Sequence, residues 1–224
     1  ADFKRPGLAA IHMMVERGQA AFVDTGTNSS VPGVLGVMRT TGIAPADVAY
    51  VITTHVHLDH AGGAGEMMRL FPNARLVVHP RGARHMIDPE KLIAGVIGVY
   101  GAEEVARTYG AIVPVPKERM IEAADGFKLD FNGRELAFLD TPGHARHHFC
   151  MFDQRSRSVF AGDTFGISYR EFDTERGEFI FPTTTPVQFD PPALHASIDR
   201  LMSYRPRHMY LTHFGQVGNL ERLA

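Results

Sequence analysis

Short apolar runs alternate with amphipathic segments along most of the chain. The pattern predicts strands at Gln19–Val23 and Val48–Thr53, and the second is almost continuously apolar, as in a strand buried on both faces of a sheet. Between them we predict a helix that Ser30 caps, that carries Pro32 in its first turn and that Gly42 ends. The apolar residues of this helix fall on one face, and they are Val31, Val34, Leu35 and Met38.

The rest of the pattern adds helices and a larger number of strands. Helices are predicted over Gly63–Phe71 and from Pro80 to about Tyr109. A third begins after Asp190, which caps it, with Pro191 in its first turn. Further strands are predicted at Arg75–Val78, Phe127–Phe131, Glu135–Leu139, His148–Phe152, Ser158–Ala161 and, as the last strand, His208–Leu211. Strand–helix alternation followed by strands in succession predicts an α/β sandwich with mixed sheets.

Composition narrows the classes of function. The 224 residues suit one domain spanning 1–224. Lys and Arg number 23 against 25 Asp and Glu, with no dense basic cluster, which argues against a nucleic-acid partner. The longest weakly polar run, Leu92–Ala102, is about half the ~20 residues that a membrane-spanning helix needs, so we expect no membrane partner. Cys150 is the only cysteine, which excludes an intrachain disulfide, and Ala1–Lys4 begins no signal peptide, so we expect a cytoplasmic protein.

One segment differs from an ordinary core or surface loop. Of the twelve histidines, three lie with an aspartate in Thr54–Gly63, and these four residues are His55, His57, Asp59 and His60. Residues two apart in an extended chain point the same way, so His55 and His57 present their imidazoles to one point, and the turn that follows carries the other two to a neighbouring point. Imidazole and carboxylate are ligands of Zn²⁺ and also suit Fe or Mn. The segment therefore predicts a metal site, with a solvated histidine-rich loop as the alternative.

Two metal ions need more ligands than this segment supplies, and three further candidates lie elsewhere in the chain. They are His144, Asp163 and His213, each placed just after one of the strands predicted above. Open α/β sheets place their sites at the ends of strands. We therefore expect these three side chains to join the first cluster.

The complete pattern resembles the metallo-β-lactamase-fold hydrolase superfamily, which carries a His-x-His-x-Asp-His signature followed by a later His, Asp and His. The resemblance runs from about Val23–Gly26 to Phe214 and so covers nearly the whole chain. It implies an αββα four-layer sandwich with the metal site at one edge of the two sheets. It also implies a first metal on His55, His57 and His144, a second on Asp59, His60 and His213, and Asp163 as a bridge between them.

The resemblance implies a dinuclear metal-dependent hydrolase that cleaves an ester, thioester or lactone of a small molecule, similar to glyoxalase II and the lactonases. Two divalent ions about 3.5–4 Å apart share a water and lower its pKa. Asp59 and Asp163 are therefore assigned to catalysis as well as to metal binding. Zinc is the expected metal, with Fe or Mn as alternatives. Two other activities stay open: a mononuclear non-haem iron sulfur dioxygenase of the same fold, and a promiscuous phosphotriesterase-like or β-lactamase-like hydrolase.

Residues beside the predicted ligands are secondary candidates. His148 either orients a ligand by hydrogen bonding or is an ordinary strand residue. Asp24, at the end of a strand, is expected to support the ligand loop. Arg146 and His147 are expected on a turn that faces solvent.

Two segments are candidates for the walls of a substrate pocket. Phe165–Asp190 is rich in aromatic residues but has little periodicity, which predicts a long ordered loop, and loops of that length are usually functional. Phe165 and Tyr169 of this loop, together with the helical segment Pro80–Tyr109, would then line the pocket. Alternatively, these apolar residues complete the core or form a homodimer contact.

Overall fold

The computed structural model describes residue 5, residues 7–184 and residues 187–224. Residues 1–4, for which we predict no signal peptide, lie outside these ranges, as do residues 185–186 of the predicted loop. No helix within the described ranges has both the length and the apolar character needed to cross a membrane.

The strands form two mixed sheets. The first contains, in spatial order, β1 (His12–Glu16), β2 (Gln19–Val23), β3 (Val48–Ile52), β4 (Arg75–Val78) and β5 (Met120–Glu122). Its first two strands are antiparallel and the others are parallel. The second sheet contains β6 (Lys128–Phe131), β7 (Arg134–Asp140), β8 (Phe149–Asp153), β9 (Ser158–Gly162), β10 (His208–Leu211) and β11 (Gly215–Val217), in the reverse spatial order 11-10-9-8-7-6. Only the β9–β10 pair of this sheet is parallel.

Eight α-helices accompany the sheets in the described ranges. They are α1 (Val31–Thr41), α2 (Leu58–Ala61), α3 (Ala64–Leu70), α4 (Pro80–Ile87), α5 (Glu90–Tyr100), α6 (Ala102–Tyr109), α7 (Pro191–Ser203) and α8 (Leu220–Leu223).

Alternation of side chains within the strands produces the layers. In β2, Ala21 and Val23 belong to the apolar cluster between the two sheets, where Phe138 and Phe149 of the second sheet meet edge to face at 4.9 Å. Phe22 belongs instead to the cluster under α1, α3 and α4 on the outer face of the first sheet. A third cluster packs α7 and α8 on the outer face of the second sheet. The predicted four-layer αββα sandwich is thereby confirmed, and it leaves the ends of β3, β7, β9 and β10 to carry the site.

The structure corrects several predicted elements. β1, β5, β11, α2 and α8 were not predicted, and β11 follows the strand predicted to be last. The helical segment that ends at Tyr109 consists of three helices, because Pro89 confines Asp88 to an extended conformation and Gly101 adopts φ +82°. Ser30 precedes α1, but its side chain makes no capping hydrogen bond, and its hydroxyl accepts instead from the N–H of Thr27.

The helix predicted near the end of the chain is confirmed together with its cap. The Asp190 carboxylate accepts the N–H of Ala193 at 3.1 Å. The apolar side of α7 is anchored by Leu194 and Leu201, both buried. The described part of the segment predicted as a loop before it holds one short 3₁₀ turn, Arg170–Phe172, and no longer helix or strand.

Candidate metal centre

The histidine-rich segment begins where the buried strand β3 ends. Three apolar residues hold β3 in the first sheet, so the chain leaves the sheet at a fixed point and runs through 53–57 into α2. His55 and His57 lie in this connection, and Asp59 and His60 lie in the single turn of α2. His57 keeps an extended conformation immediately before α2, and the helical turn carries the next two ligands away from the first two.

The second sheet supplies the other three predicted ligands. His144 lies in the connection between β7 and β8, Asp163 directly follows β9, and His213 lies between β10 and β11. All seven predicted ligands are buried or half-buried. They form three overlapping groups: His55, His57 and His144; His55, His60 and Asp163; and Asp59, His60 and His213.

The first triad is made entirely of imidazoles. His57 Nδ1 lies 2.8 Å from His55 Nε2 and 3.2 Å from His144 Nε2. Burial lowers the pKa of His57 to about 4, with the neighbouring His144 adding to the effect. Burial also lowers the pKa of His55 well below its ordinary value, and that of His144 as well. These rings are therefore neutral at physiological pH, as metal ligands must be.

The second triad contains a carboxylate and has the opposite electrostatics. Asp59 Oδ2 lies 3.2 Å from His213 Nε2 and 3.6 Å from His60 Nε2. Burial alone would lower the pKa of His213, but Asp163 and Asp59 raise it to about 9. The same two carboxylates and Asp24 raise the pKa of His60 well above its ordinary value against the effect of burial. Without a metal these imidazoles hold protons, which a cation would displace.

Asp163 lies between the two triads. Its Oδ2 is 3.4 Å from His144 Nε2, while its Oδ1 is 3.3 Å from His60 Nε2 and 3.8 Å from His213 Nε2. Burial would raise the pKa of the Asp163 carboxyl, but the three imidazoles hold it well below its usual range. The carboxylate therefore offers one oxygen to each triad.

The donor atoms fit metal ions by two measures. Nitrogen ligands at about 2.0–2.1 Å from a tetrahedral Zn²⁺ lie about 3.3 Å apart, and the spacings measured in the first triad, 2.8 and 3.2 Å, are close to this value. His60 Nε2 and Asp163 Oδ1 are also buried without a hydrogen bond to any described residue. Such buried polar atoms are costly unless something satisfies them. The residues present therefore fit a metal.

Comparison with known proteins agrees with this geometry. A family profile, the metallo-beta-lactamase superfamily, matches residues 6–213. The chain belongs to this superfamily. The predicted resemblance is confirmed.

One relative matches nearly the whole chain, and its name states a fold and no activity. The chain is 22% identical over 223 residues to the metallo-beta-lactamase fold-containing protein ST1585 of Sulfurisphaera tokodaii, a match that covers 95% of this chain and 75% of ST1585. The solved structure of ST1585 superposes with a TM-score of 0.76 at 24% identity, over 100% of this chain and 79% of that one.

Two shorter matches have named activities. N-acyl homoserine lactonase AttM of Agrobacterium fabrum is 32% identical over 117 residues, 52% of this chain and 40% of AttM. Acyl-coenzyme A thioesterase MBLAC2 of Gallus gallus is 26% identical over 140 residues, 56% of this chain and 47% of MBLAC2. The chain thus spans three quarters of ST1585 but less than half of the lactonase and the thioesterase.

In this superfamily member, Asp24 connects the second triad to both sheets. Its Oδ2 accepts from His60 Nδ1 at 2.8 Å and from the hydroxyl of Thr212 at 2.6 Å, and its Oδ1 accepts the N–H of Thr54 at 2.8 Å. His60 Nδ1 is thereby occupied, so Nε2 is the nitrogen that faces Asp163. The structure places Asp24 where the sequence analysis expected it, directly beneath the ligand loop.

His148 performs a similar structural task beneath Asp163. It is fully buried, and its Nε2 accepts the N–H of Asp163 at 3.1 Å. Its Nδ1 lies 2.9 Å from the hydroxyl of Thr141 and 3.2 Å from that of Thr164. Of the two interpretations of His148 given above, the structure therefore favours the one in which it orients a ligand.

Four threonines that complete these contacts were not predicted. Thr54 and Thr212 bind Asp24, and Thr141 and Thr164 bind His148. A signal was present, because each threonine stands at a strand end beside an expected ligand or its loop. Without the pairing of distant strands, however, the partner of each hydroxyl could not be named.

Three further expectations meet different outcomes. His147 does not lie on a solvent-facing turn, because it is buried. Its ring stacks on that of His55 with the centroids 6.1 Å apart, and it lies edge to face with His57 at 5.4 Å. Arg146 is exposed, as expected. Phe165 is also buried, in the cluster beneath α7, and so belongs to the core rather than to a pocket wall. Tyr169 is half-buried. Burial raises the pKa of its hydroxyl; Arg5 opposes this rise, and the charges of Asp163 and Asp59 add to it.

Proposed function

We propose that this superfamily member is a dinuclear metal-dependent hydrolase that cleaves an ester, thioester or lactone of a small molecule. The observation that carries the proposal is the position of Asp163, whose two oxygens face different triads at 3.3 and 3.4 Å. A carboxylate shared in this way supports two ions better than one. Zinc is the proposed occupant of both sites, and Fe or Mn suit the same nitrogen and oxygen donors.

The proposed roles of the residues follow from their electrostatics. His55, His57 and His144 would hold the first ion through neutral imidazoles, and Asp59, His60 and His213 would hold the second. When bound, paired divalent ions polarise a carbonyl oxygen and lower the pKa of water. Asp163 would keep the two triads in register. Burial would raise the pKa of the Asp59 carboxyl, but His60 and His213 hold it well below its usual range, so the carboxylate stays charged as a ligand of the second ion.

An apolar cluster beside the centre supports a substrate with an apolar acyl part. Leu58, Val105 and Tyr109 form the buried floor of this cluster, and the partly exposed Leu92 and Val96 of α5, which pack over them, are the side chains that could meet a substrate. Leu58 immediately precedes Asp59, and the Asp59 charge, after burial, contributes to raising the pKa of the Tyr109 hydroxyl. Substrate pockets are mostly apolar with few polar groups. The names of the lactonase and thioesterase relatives support the same class of acyl substrates.

We further propose that the protein is cytoplasmic and has neither a nucleic-acid partner nor a membrane partner. The near balance of 23 basic and 25 acidic residues supports the absence of a nucleic-acid partner. A homodimer, the alternative left open above, would have a surface available at Val99 and Tyr100 of α5, which are 52% and 56% exposed.

The test is a panel of lactones, thioesters and aryl esters hydrolysed by protein of measured metal content. Wild type should hold about two ions per chain, and a strong chelator should abolish turnover. Asp163→Asn keeps the shape of the side chain but removes the charge that both triads share. Metal content should therefore fall to one ion or none per chain, and turnover should decrease at least about 100-fold. The matched control is Asp199→Asn on the exposed face of α7. Undiminished turnover in Asp163→Asn, or one iron per chain with consumption of oxygen, would contradict the proposal.

A further inference from the structure

A cavity adjoins the metal centre on the side of His144. Its volume is about 1050 Å³, which is large enough for a drug-sized molecule or substrate group. It is bounded by the start of α4, by the loop that carries His144, and by residues 187–193 at the start of α7. The cavity is therefore built from three separate segments of the chain.

The described lining of this cavity is strongly cationic. Arg81, Arg84 and Arg146 line it together with His85, and Asp190 is the only acidic residue of the described lining. The Asp190 carboxylate is already engaged, because it caps α7 through the N–H of Ala193.

No described carboxylate neutralises the three arginines of the cavity. Arg107 pairs with Glu104 at 2.7 Å and Arg134 with Asp153 at 2.5 Å, whereas none of the three cavity arginines forms an ion pair with a described residue. In a chain with a net charge of −2, three uncompensated guanidinium groups around one concavity are a concentrated positive charge.

Hydrogen bonds fix the walls of the cavity. Arg81 donates from Nη1 to the carbonyl of Arg146 at 3.1 Å, which ties α4 to the loop of His144. The N–H of Arg146 donates to Gln188 Oε1 at 2.9 Å, which ties the same loop to the segment before α7. The guanidinium groups of Arg84 and Arg146 thus stand on walls already held in place, as preorganised binding requires.

The cavity and the metal centre share a wall. His147 lines the cavity, and its ring lies 5.4 Å from that of His57, a predicted ligand. Gly143, which also lines the cavity, is the neighbour of His144 in the chain. The cavity therefore lies one side chain, that of His147, away from the first triad.

We propose that this cavity binds an anionic group, a carboxylate or a phosphate, carried by the substrate whose acyl bond is cleaved at the metal centre. Guanidinium groups bind both anions through paired N–H donors. The inference rests on the proposed function for the identity of the reaction, but the binding of an anion can be measured independently.

The first arm of the test measures binding to the zinc-loaded protein, with succinate and inorganic phosphate as probes titrated by NMR. We expect saturable shifts at the amides of Arg146 and Gln188, with the tighter probe identifying carboxylate or phosphate as the natural group. Arg84→Gln and Arg146→Gln should each weaken binding about fivefold. Arg39→Gln, an exposed arginine of α1 outside the cavity lining, is the matched control and should bind as wild type does. Equal affinity in all four proteins would place the anion on the metal ions and overturn the inference.

The second arm compares two aryl esters of equal chain length, one ending in a carboxylate and one in a methyl group. The ratio of their kcat/KM values should favour the carboxylated ester in wild type and in Arg39→Gln, and should fall about fivefold in Arg84→Gln and Arg146→Gln. Hydrolysis of both esters at an unchanged ratio, without arginine-dependent anion binding, overturns the inference and leaves the proposed hydrolase standing. Arginine-dependent anion binding without hydrolysis of any ester, thioester or lactone of the panel supports the anion site and contradicts the hydrolase.

Discussion

The backbone N–H of Asp163 donates to Nε2 of His148 over 3.1 Å. This contact fixes the tautomer of the imidazole: Nε2 accepts, so Nδ1 carries the proton and donates to the hydroxyl of Thr141 at 2.9 Å. Since His148 is fully buried between β8 and the end of β9, it holds the backbone of Asp163 so that the two carboxylate oxygens face the two triads.

Replacement of His148 by leucine should therefore weaken metal binding without removing a ligand. We expect a 10- to 100-fold loss of zinc affinity and of kcat, the range usual for residues that orient ligands. His148→Gln retains an acceptor on a side chain of similar reach and should recover part of both. Zinc affinity from competition with a chelator, together with kcat, measures the effect. A role in packing alone would leave the glutamine variant no better than the leucine variant.

Asp24 supports only the second triad directly, and this asymmetry can be tested. In Asp24→Asn the charge that stabilises His60 is lost, so the second ion should bind 10- to 100-fold more weakly while the first is retained. Metal content at limiting zinc should then fall from about two ions per chain toward one. Asp47→Asn, which alters a turn aspartate that accepts the N–H of Ala44, is the control. Equal loss of both ions would show that Asp24 supports the whole loop rather than His60.

Gly162, the last residue of β9 and the neighbour of Asp163, has no room for a side chain. Its φ is +50°, and a Cβ there would come within 2.5 Å of His148 Nε2 and 2.7 Å of the Thr54 hydroxyl. Gly162→Ala should cost about 2–4 kcal/mol of unfolding free energy, from the left-handed conformation together with overpacking, and should reduce metal affinity. Gly18→Ala has φ +81° but open space around it, so it isolates the conformational cost of about 1 kcal/mol. Urea unfolding of both variants separates the two contributions.

The convergence of the seven candidate ligands could be predicted from sequence because much of their signal is local. Four of them lie within six residues, and the other three follow strands whose apolar runs are easy to recognise. The strands that escaped prediction are of another kind. β5 and β11 have three residues each, too few for a periodic signal, and β1 is a half-buried edge strand that keeps one valine, Val15, 44% exposed.

The residues around the ligands could not be assigned, because their roles depend on pairing between distant strands. Asp24 and Thr212 are 188 positions apart, and only the assembled sheets bring them to 2.6 Å. His147 was misplaced for a similar reason: the 142–147 loop resembles a surface turn in isolation, but α4 packs against it through Gly82, where a Cβ would lie 3.8 Å from the His147 Cβ. Local polarity predicts solvent exposure, and tertiary packing overrides it here.

A buried ion pair at the base of the β7–β8 hairpin predicts sensitivity to acid away from the metal centre. Arg134 donates to Asp153 with two nitrogens, Nε at 3.1 Å and Nη2 at 2.5 Å, and the Asp153 side chain is fully buried. Burial alone would raise the pKa of Asp153, but the bonds from Arg134 and Ser156 lower it below its ordinary value. A carboxyl whose folded pKa is depressed stabilises the fold above its unfolded pKa of about 3.9, and this contribution is lost as pH falls through the folded value.

Asp153→Asn should therefore lower the unfolding free energy by about 1.5–3 kcal/mol near pH 7, the range for hydrogen bonds to charged groups. The difference from wild type should shrink as pH falls below about 4, because wild type then loses the same charge. Urea unfolding of metal-free protein at both pH values measures the difference without interference from the centre. Asp199→Asn, on the exposed face of α7, should show little change at either pH. A destabilisation of Asp153→Asn that is equal at both pH values would mean that Asp153 acts through its shape and not through its charge.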